Sequence, residues 1–149
     1  LRYPGVISYQ SMPGGGTTDY AVAIYHEAVQ GNRFECFLAA DTLLPMIYMD
    51  DALRATLELM EAPEAAITVR TSYNLAGMSF TPAQVTASIQ TYFPDFQVDY
   101  KPDFRQAIAD SWPKTIDDSV ARRDWGWKPR FDLPKMTKEM ITHLTEKVI

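Results

Sequence analysis

Cysteine is almost missing from this sequence: Cys36 stands alone. An internal disulfide is therefore unavailable, which excludes a disulfide-stapled secreted scaffold and points to a reducing compartment. Histidine is nearly as scarce. His26 and His143 lie in helical patterns without metal-ligand spacing, so they read as helix-face residues and no metal is expected. Basic residues are the minority: 14 Lys and Arg against 19 Asp and Glu, a net charge of −5. The electrostatic footprint of a nucleic-acid binder is absent, and no nucleic-acid partner is expected. No apolar run approaches the roughly 20 residues that span a bilayer, so no membrane partner is expected either. Repeats, low-complexity segments and an obvious linker are lacking too. The chain opens Leu1-Arg2-Tyr3-Pro4-Gly5-Val6-Ile7 with no initiator Met and no targeting pattern, and reads as starting inside a folded element.

What is present suits a folded chain. Apolar residues make up 46% and charged residues 22% of 149 positions, close to the globular average. That length amounts to about one domain with a real core.

Residues 1–8 read as a strand interrupted by Pro4 and Gly5, because proline removes a ladder donor. Met12-Pro13-Gly14-Gly15-Gly16 is the most flexible stretch. Thr17, Thr18 and Asp19 are helix N-cap candidates, and the apolar spacing from Tyr20 to Val29 predicts a helix over 19–30, stopped by Gly31. Short strands are expected at 34–38 and 45–49. Asp50 is expected to cap a helix with Leu53, Leu57 and Met60 on one face and Pro63 beyond its end. Residues 67–76 read as a strand. Thr81-Pro82 with Gln84 forms a capping box for a helix to about residue 92. A half-buried strand at 96–100 and helices at 103–110, 117–125 and 134–148 complete the chain. Strands alternating with helices argue for an α/β fold, though not for a regular doubly wound sheet by itself.

No complete catalytic constellation is visible. Cys36, among Phe34, Phe37 and Leu38, reads as a buried, inert thiol. Asp50-Asp51 and Asp117-Asp118 stand at helix starts and read as caps and dipole complements rather than catalytic pairs. The Gly14–Gly16 run entering a helix can either expose N–H groups to an anion or be an ordinary flexible loop. It lacks the lysine of a phosphate-binding P-loop, which argues against a nucleotide triphosphatase. Trp112 in Ser111-Trp112-Pro113 can line a pocket or plug the core. Trp125-Gly126-Trp127-Lys128-Pro129 reads as packing plus a glycine helix terminator.

Several segments together resemble the extended short-chain dehydrogenases and epimerases. They are Leu1-Arg2-Tyr3-Pro4-Gly5-Val6, the run from Leu44 to Asp51, Tyr73-Asn74-Leu75-Ala76, and the run from Asp118 to Pro129. Three others are more particular: Pro13 through Ala21, Met78-Ser79-Phe80-Thr81-Pro82, and Arg105 through Pro113. With these the chain resembles the short-chain-type L-threonine 3-dehydrogenases, over essentially all 149 residues. The resemblance covers only the C-terminal half of that family's chain. The dinucleotide fingerprint, the catalytic Ser or Thr and the Tyr-x-x-x-Lys pair are not in this sequence, and no Lys has a Tyr four positions upstream.

The resemblance implies the C-terminal part of an extended Rossmann-type fold: the last sheet strands plus a small mixed α/β substrate-binding lobe, spanning 1–149 as one unit. It implies oxidation of L-threonine to 2-amino-3-oxobutanoate with hydride transfer to NAD in the complete enzyme, with no catalytic residue in this chain. Tyr3, Pro4, Gly5 and Ile7 are expected against the nicotinamide end of NAD, where glycine lets the backbone approach a flat ring. Thr17, Thr18, Asp19 and Trp112 are expected to bind L-threonine. The expected partners are the N-terminal half and a second copy in a homodimer, in a bacterial cytoplasm or a mitochondrial matrix. One competing reading is a nucleotide-sugar epimerase or dehydratase. The run Ala39 to Met46 has no Arg or Lys for a nucleotide, which favours a small substrate. The other is a non-catalytic binding module.

Overall fold

Two small sheets organise the chain, and the computed structural model describes residues 1–148 of it. In the larger sheet, β1 (Gly5–Ile7) lies parallel to β3 (Leu44–Tyr48), which in turn runs antiparallel to β4 (Met78–Phe80). The smaller sheet pairs β2 (Phe34–Cys36) in parallel with β5 (Val98–Tyr100). Pro4 divides the first strand as expected. Ahead of it Arg2 bridges to Asn74, with its N–H donating to the Tyr73 carbonyl at 2.8 Å; after it Gly5–Ile7 pairs with β3.

The helices are α1 (Tyr20–Val29), α2 (Met49–Glu61), α3 (Pro82–Gln90), α4 (Phe104–Asp110), α5 (Ser119–Trp125) and α6 (Leu133–Val148). Among the described residues no helix is long and apolar enough to cross a membrane. The main core is built from α1, α3 and α6 against both sheets, and Met136, Met140, Ile141 and Leu144 of α6 lie in it. One polar junction locks these three helices together. The Thr137 hydroxyl meets the Tyr25 and Ser88 hydroxyls, each at 2.8 Å. Buried Cys36 belongs to the same core, and burial pushes its thiol pKa up, in keeping with an inert role. A second cluster gathers Ile47, Ala52, Ala55, Tyr73, Leu75, Ala121 and Trp127. The Trp127 indole N–H donates to the Ala76 carbonyl at 3.1 Å. Gly126 ends α5 at φ 75°, a left-handed backbone that favours glycine.

The capping box is present. The Gln84 N–H donates to the Thr81 hydroxyl at 3.2 Å, and the Thr81 N–H donates to the Gln84 side chain at 2.9 Å. Thr81→Ala is expected to cost about 1 kcal/mol, read as a shift in the denaturant midpoint of the full-length protein. No shift would refute that assignment.

Two expectations are corrected. Residues 67–76 form no regular strand. The end of this segment alone pairs, where the Leu75 N–H donates to the Arg2 carbonyl at 3.1 Å; near its start the donors go to a side chain, the Thr68 N–H reaching the Tyr73 hydroxyl at 3.0 Å and the Val69 N–H reaching it at 3.3 Å. Tyr73 donates onward to Asp124 at 2.7 Å. The Thr68 and Tyr73 hydroxyls hold the Asp124 carboxyl well below the usual range, at about 2.

Asp50 does not cap α2. The N-cap is Tyr48, with no side-chain bond, and both aspartates sit in the first turn. There Asp51 is buried and serves as a tertiary anchor. The stripe Leu53, Leu57 and Met60 does share a face, but that face is 57%, 58% and 76% exposed. The side of α2 turned inward carries Asp51, Ala52 and Ala55, whose small alanines let the helix lie close to Ile47 and Trp127.

Candidate functional site

The divided first strand and the segment after α4 meet at an open cleft of about 340 Å³. Its walls are Tyr3, Pro4, Gly5, Thr18, Pro45, Trp112, Pro113 and Ile116. That volume lies at the small end of ligand pockets. Gly5 sits where a larger residue fits only if a neighbour shifts. A Cβ there would stand 2.6 Å from the Met46 sulfur and 2.7 Å from Thr18 Cγ2. The glycine thus lets Thr18, at the entry to α1, close onto β1. Tyr3 lines the cleft, and its hydroxyl bonds to the Thr56 hydroxyl on α2. Trp112 follows α4 and is 41% exposed. It also lines a second cavity of about 330 Å³ beside Asp41, Gln106, Asp110 and Lys114.

Five sequence-predicted site residues, Tyr3, Pro4, Gly5, Thr18 and Trp112, therefore share one cleft. Ile7 does not; it is buried in the main core. Thr17 is also buried and is not in the lining. The Asp19 carboxylate points back at the glycine run, accepting from the Gly14 N–H at 2.6 Å and the Gly16 N–H at 2.9 Å. It makes no cap bond to α1. Two of the amides that an external anion would need, those of Gly14 and Gly16, are taken by the chain's own carboxylate.

Pro45, Pro113 and Ile116 were not anticipated as site residues. Pro45 lies far along the chain from the other two, and none of the three carries a local signal that marks it as a wall residue. Among the described residues, the cleft lining holds no carboxylate, imidazole, ammonium or thiol. The lining residues whose side chains carry a polar group are Thr18, Trp112 and Tyr3, and the Tyr3 hydroxyl is already bonded to Thr56.

No protein-family model matches the chain. The mitochondrial L-threonine 3-dehydrogenase of Bos taurus is 59% identical over 142 residues, which is 95% of this chain and 38% of that protein. An uncharacterized epimerase/dehydratase of Staphylococcus haemolyticus is 51% identical over 148 residues, 99% of this chain and 46% of its own length. Among solved structures, the holo form of a GalE-like L-threonine dehydrogenase from Cupriavidus necator superimposes with a TM-score of 0.95 at 59% identity. That match covers 97% of this chain and 47% of the other. The chain thus spans less than half the length of these relatives. By sequence and by fold, it belongs to the L-threonine 3-dehydrogenase family of epimerase-like, extended short-chain dehydrogenases, and it corresponds to the C-terminal half of such an enzyme.

Proposed function

We propose that this chain is the substrate-side half of an NAD-dependent L-threonine 3-dehydrogenase, completed by an N-terminal half that carries the proton-transfer groups. The observation that carries this reading is the single cleft shared by Tyr3, Pro4, Gly5, Thr18 and Trp112. In this reading the chain interleaves a small substrate lobe with the last elements of a dinucleotide-binding sheet.

The cleft chemistry fits such a division of labour. Tyr3, Pro4 and Pro45 offer a flat, uncharged wall, which suits the nicotinamide end of NAD and not its phosphates. NAD supplies the hydride acceptor when bound. Thr18 offers a hydroxyl to the charged amino-acid group of threonine, and the Trp112 ring excludes water on the substrate side. A hydroxyl-to-ketone oxidation also requires a base for the hydroxyl proton. The cleft lining has none suited to that task, so the base is assigned to the N-terminal half. Close alignment of the reacting atoms is the contribution of this half. The uncharged lining also favours a small substrate over a nucleotide sugar, whose phosphates call for Arg or Lys.

Thr18→Ala in the full-length enzyme is expected to raise KM for L-threonine about tenfold or more, the cost of one hydrogen bond to a charged group. Trp112→Ala is expected to do the same through lost packing. Steady-state kinetics with L-threonine and NAD decide it. Unchanged constants in both variants would overturn the assignments, and turnover of a nucleotide sugar instead would favour the epimerase reading.

A further inference from the structure

We propose that Arg105 is a positioning residue for this cleft, tying α4 to the glycine loop so that Thr18 and Trp112 stay turned to one substrate; this rests on the proposed function. Arg105 stands in the first turn of α4. Its guanidinium grips the Asp103 carboxylate, with Nη2 at 2.6 Å and Nε at 3.1 Å. Asp103 in turn caps the helix by accepting the Arg105 N–H at 2.8 Å. The guanidinium plane covers Phe37, its carbon 3.2 Å from the ring centroid. From that fixed platform Nη1 reaches across to the Gly15 carbonyl at 3.4 Å.

The far end of that reach is where ordering is needed most. Gly14-Gly15-Gly16 is three glycines in a row, and Gly15 sits at φ 94°. Such a run loses more backbone entropy on ordering than any other. Asp19 ties it from within through the Gly14 and Gly16 amides. Among the described residues, the Arg105 bond is the one side-chain hydrogen bond that reaches the glycines from another element. Thr18 follows the run by two residues. Trp112 follows the other end of α4, a helix of seven residues, about 10 Å long. One side chain therefore couples the two walls of the cleft without lining it.

Lysine cannot replace this residue. An ammonium can pair with Asp103, but it lacks the planar fork that stacks on Phe37 while donating in two directions. Arg105→Lys is thus the informative variant, because it keeps the charge. It is made in the full-length protein, with Arg105→Ala beside it. Amide hydrogen exchange without substrate is expected to quicken about tenfold at Gly14–Thr18, the scale of one charge-assisted hydrogen bond. KM for L-threonine is expected to rise by a similar factor, while KM for NAD and the melting temperature of the Lys variant stay within error.

Unchanged exchange in Arg105→Lys would overturn the inference whatever the kinetics. Faster exchange with an unchanged threonine KM in an active enzyme would also overturn it, leaving Arg105 a structural tether only. If the unaltered enzyme turns over no threonine, the proposed function fails. The exchange measurement then still decides whether Arg105 orders the loop.

Discussion

Asp51→Ala lowers the stability of the full-length protein by about 3–5 kcal/mol, the cost of breaking a buried charged pair from one side. Asp51 is only 1% exposed. It accepts from the Arg54 guanidinium at 2.7 Å and from the backbone N–H groups of Arg130 and Phe131 at 2.8 and 3.0 Å. Its loss strands the backbone donors of Arg130 and Phe131 and weakens the seat of Arg54. That arginine also packs over Trp127, 4.7 Å from the ring centroid, and donates to the Lys128 carbonyl at 2.6 Å. The segment leading into α6 is thereby detached from α2. Denaturant unfolding of the variant measures the effect. Asp50→Ala next door, at an exposed position without these partners, is expected to stay within about 0.5 kcal/mol. A loss below about 1 kcal/mol for Asp51→Ala would sink the anchor assignment.

Gly5→Ala is expected to cut kcat/KM for L-threonine at least about 100-fold, the scale of a 1 Å misplacement at a reacting centre. The added methyl would stand 2.7 Å from Thr18 Cγ2 and 2.6 Å from the Met46 sulfur. Met46 is buried and has little room to retreat, so much of the displacement falls on Thr18, the residue proposed to hold the substrate. Overpacking also costs about 1–3 kcal/mol of stability. Combining Gly5→Ala with Thr18→Ser deletes Cγ2 but keeps the hydroxyl, and is expected to recover part of the loss. NADH formation in the full-length enzyme reads both variants. Full activity in Gly5→Ala would refute the close approach.

How far the molecule can be read from its sequence depends on how far each residue's partners lie along the chain. The capping box at Thr81 and Gln84 is legible because both partners sit within one turn. The Gly126 helix stop is legible for the same reason. Asp51 is not, because its backbone partners come 79 and 80 residues later, and a local reading sees only an acidic pair at a helix start. Residues 67–76 have strand-forming side chains, yet the Tyr73 hydroxyl and Asp124 take over the hydrogen bonding there. At Asp19 the residue type suits a cap, but the carboxylate folds back five residues to Gly14. The cleft residues Tyr3, Pro4, Gly5, Thr18 and Trp112 are legible only through resemblance. Pro45, Pro113 and Ile116 complete the wall through tertiary packing alone.

Three of the eight residues around the cleft are prolines: Pro4, Pro45 and Pro113. A proline's φ is set by its ring rather than by its neighbours, and it has no N–H to compete for a ligand's acceptors. Much of this wall therefore keeps its shape by covalent geometry, before anything enters. Less conformational freedom remains to be surrendered on binding, and that saving favours affinity even for a ligand as small as an amino acid. The same stiffness leaves little room to accommodate a bulkier side chain, so under the proposed function the prolines gauge size and Thr18 sets orientation.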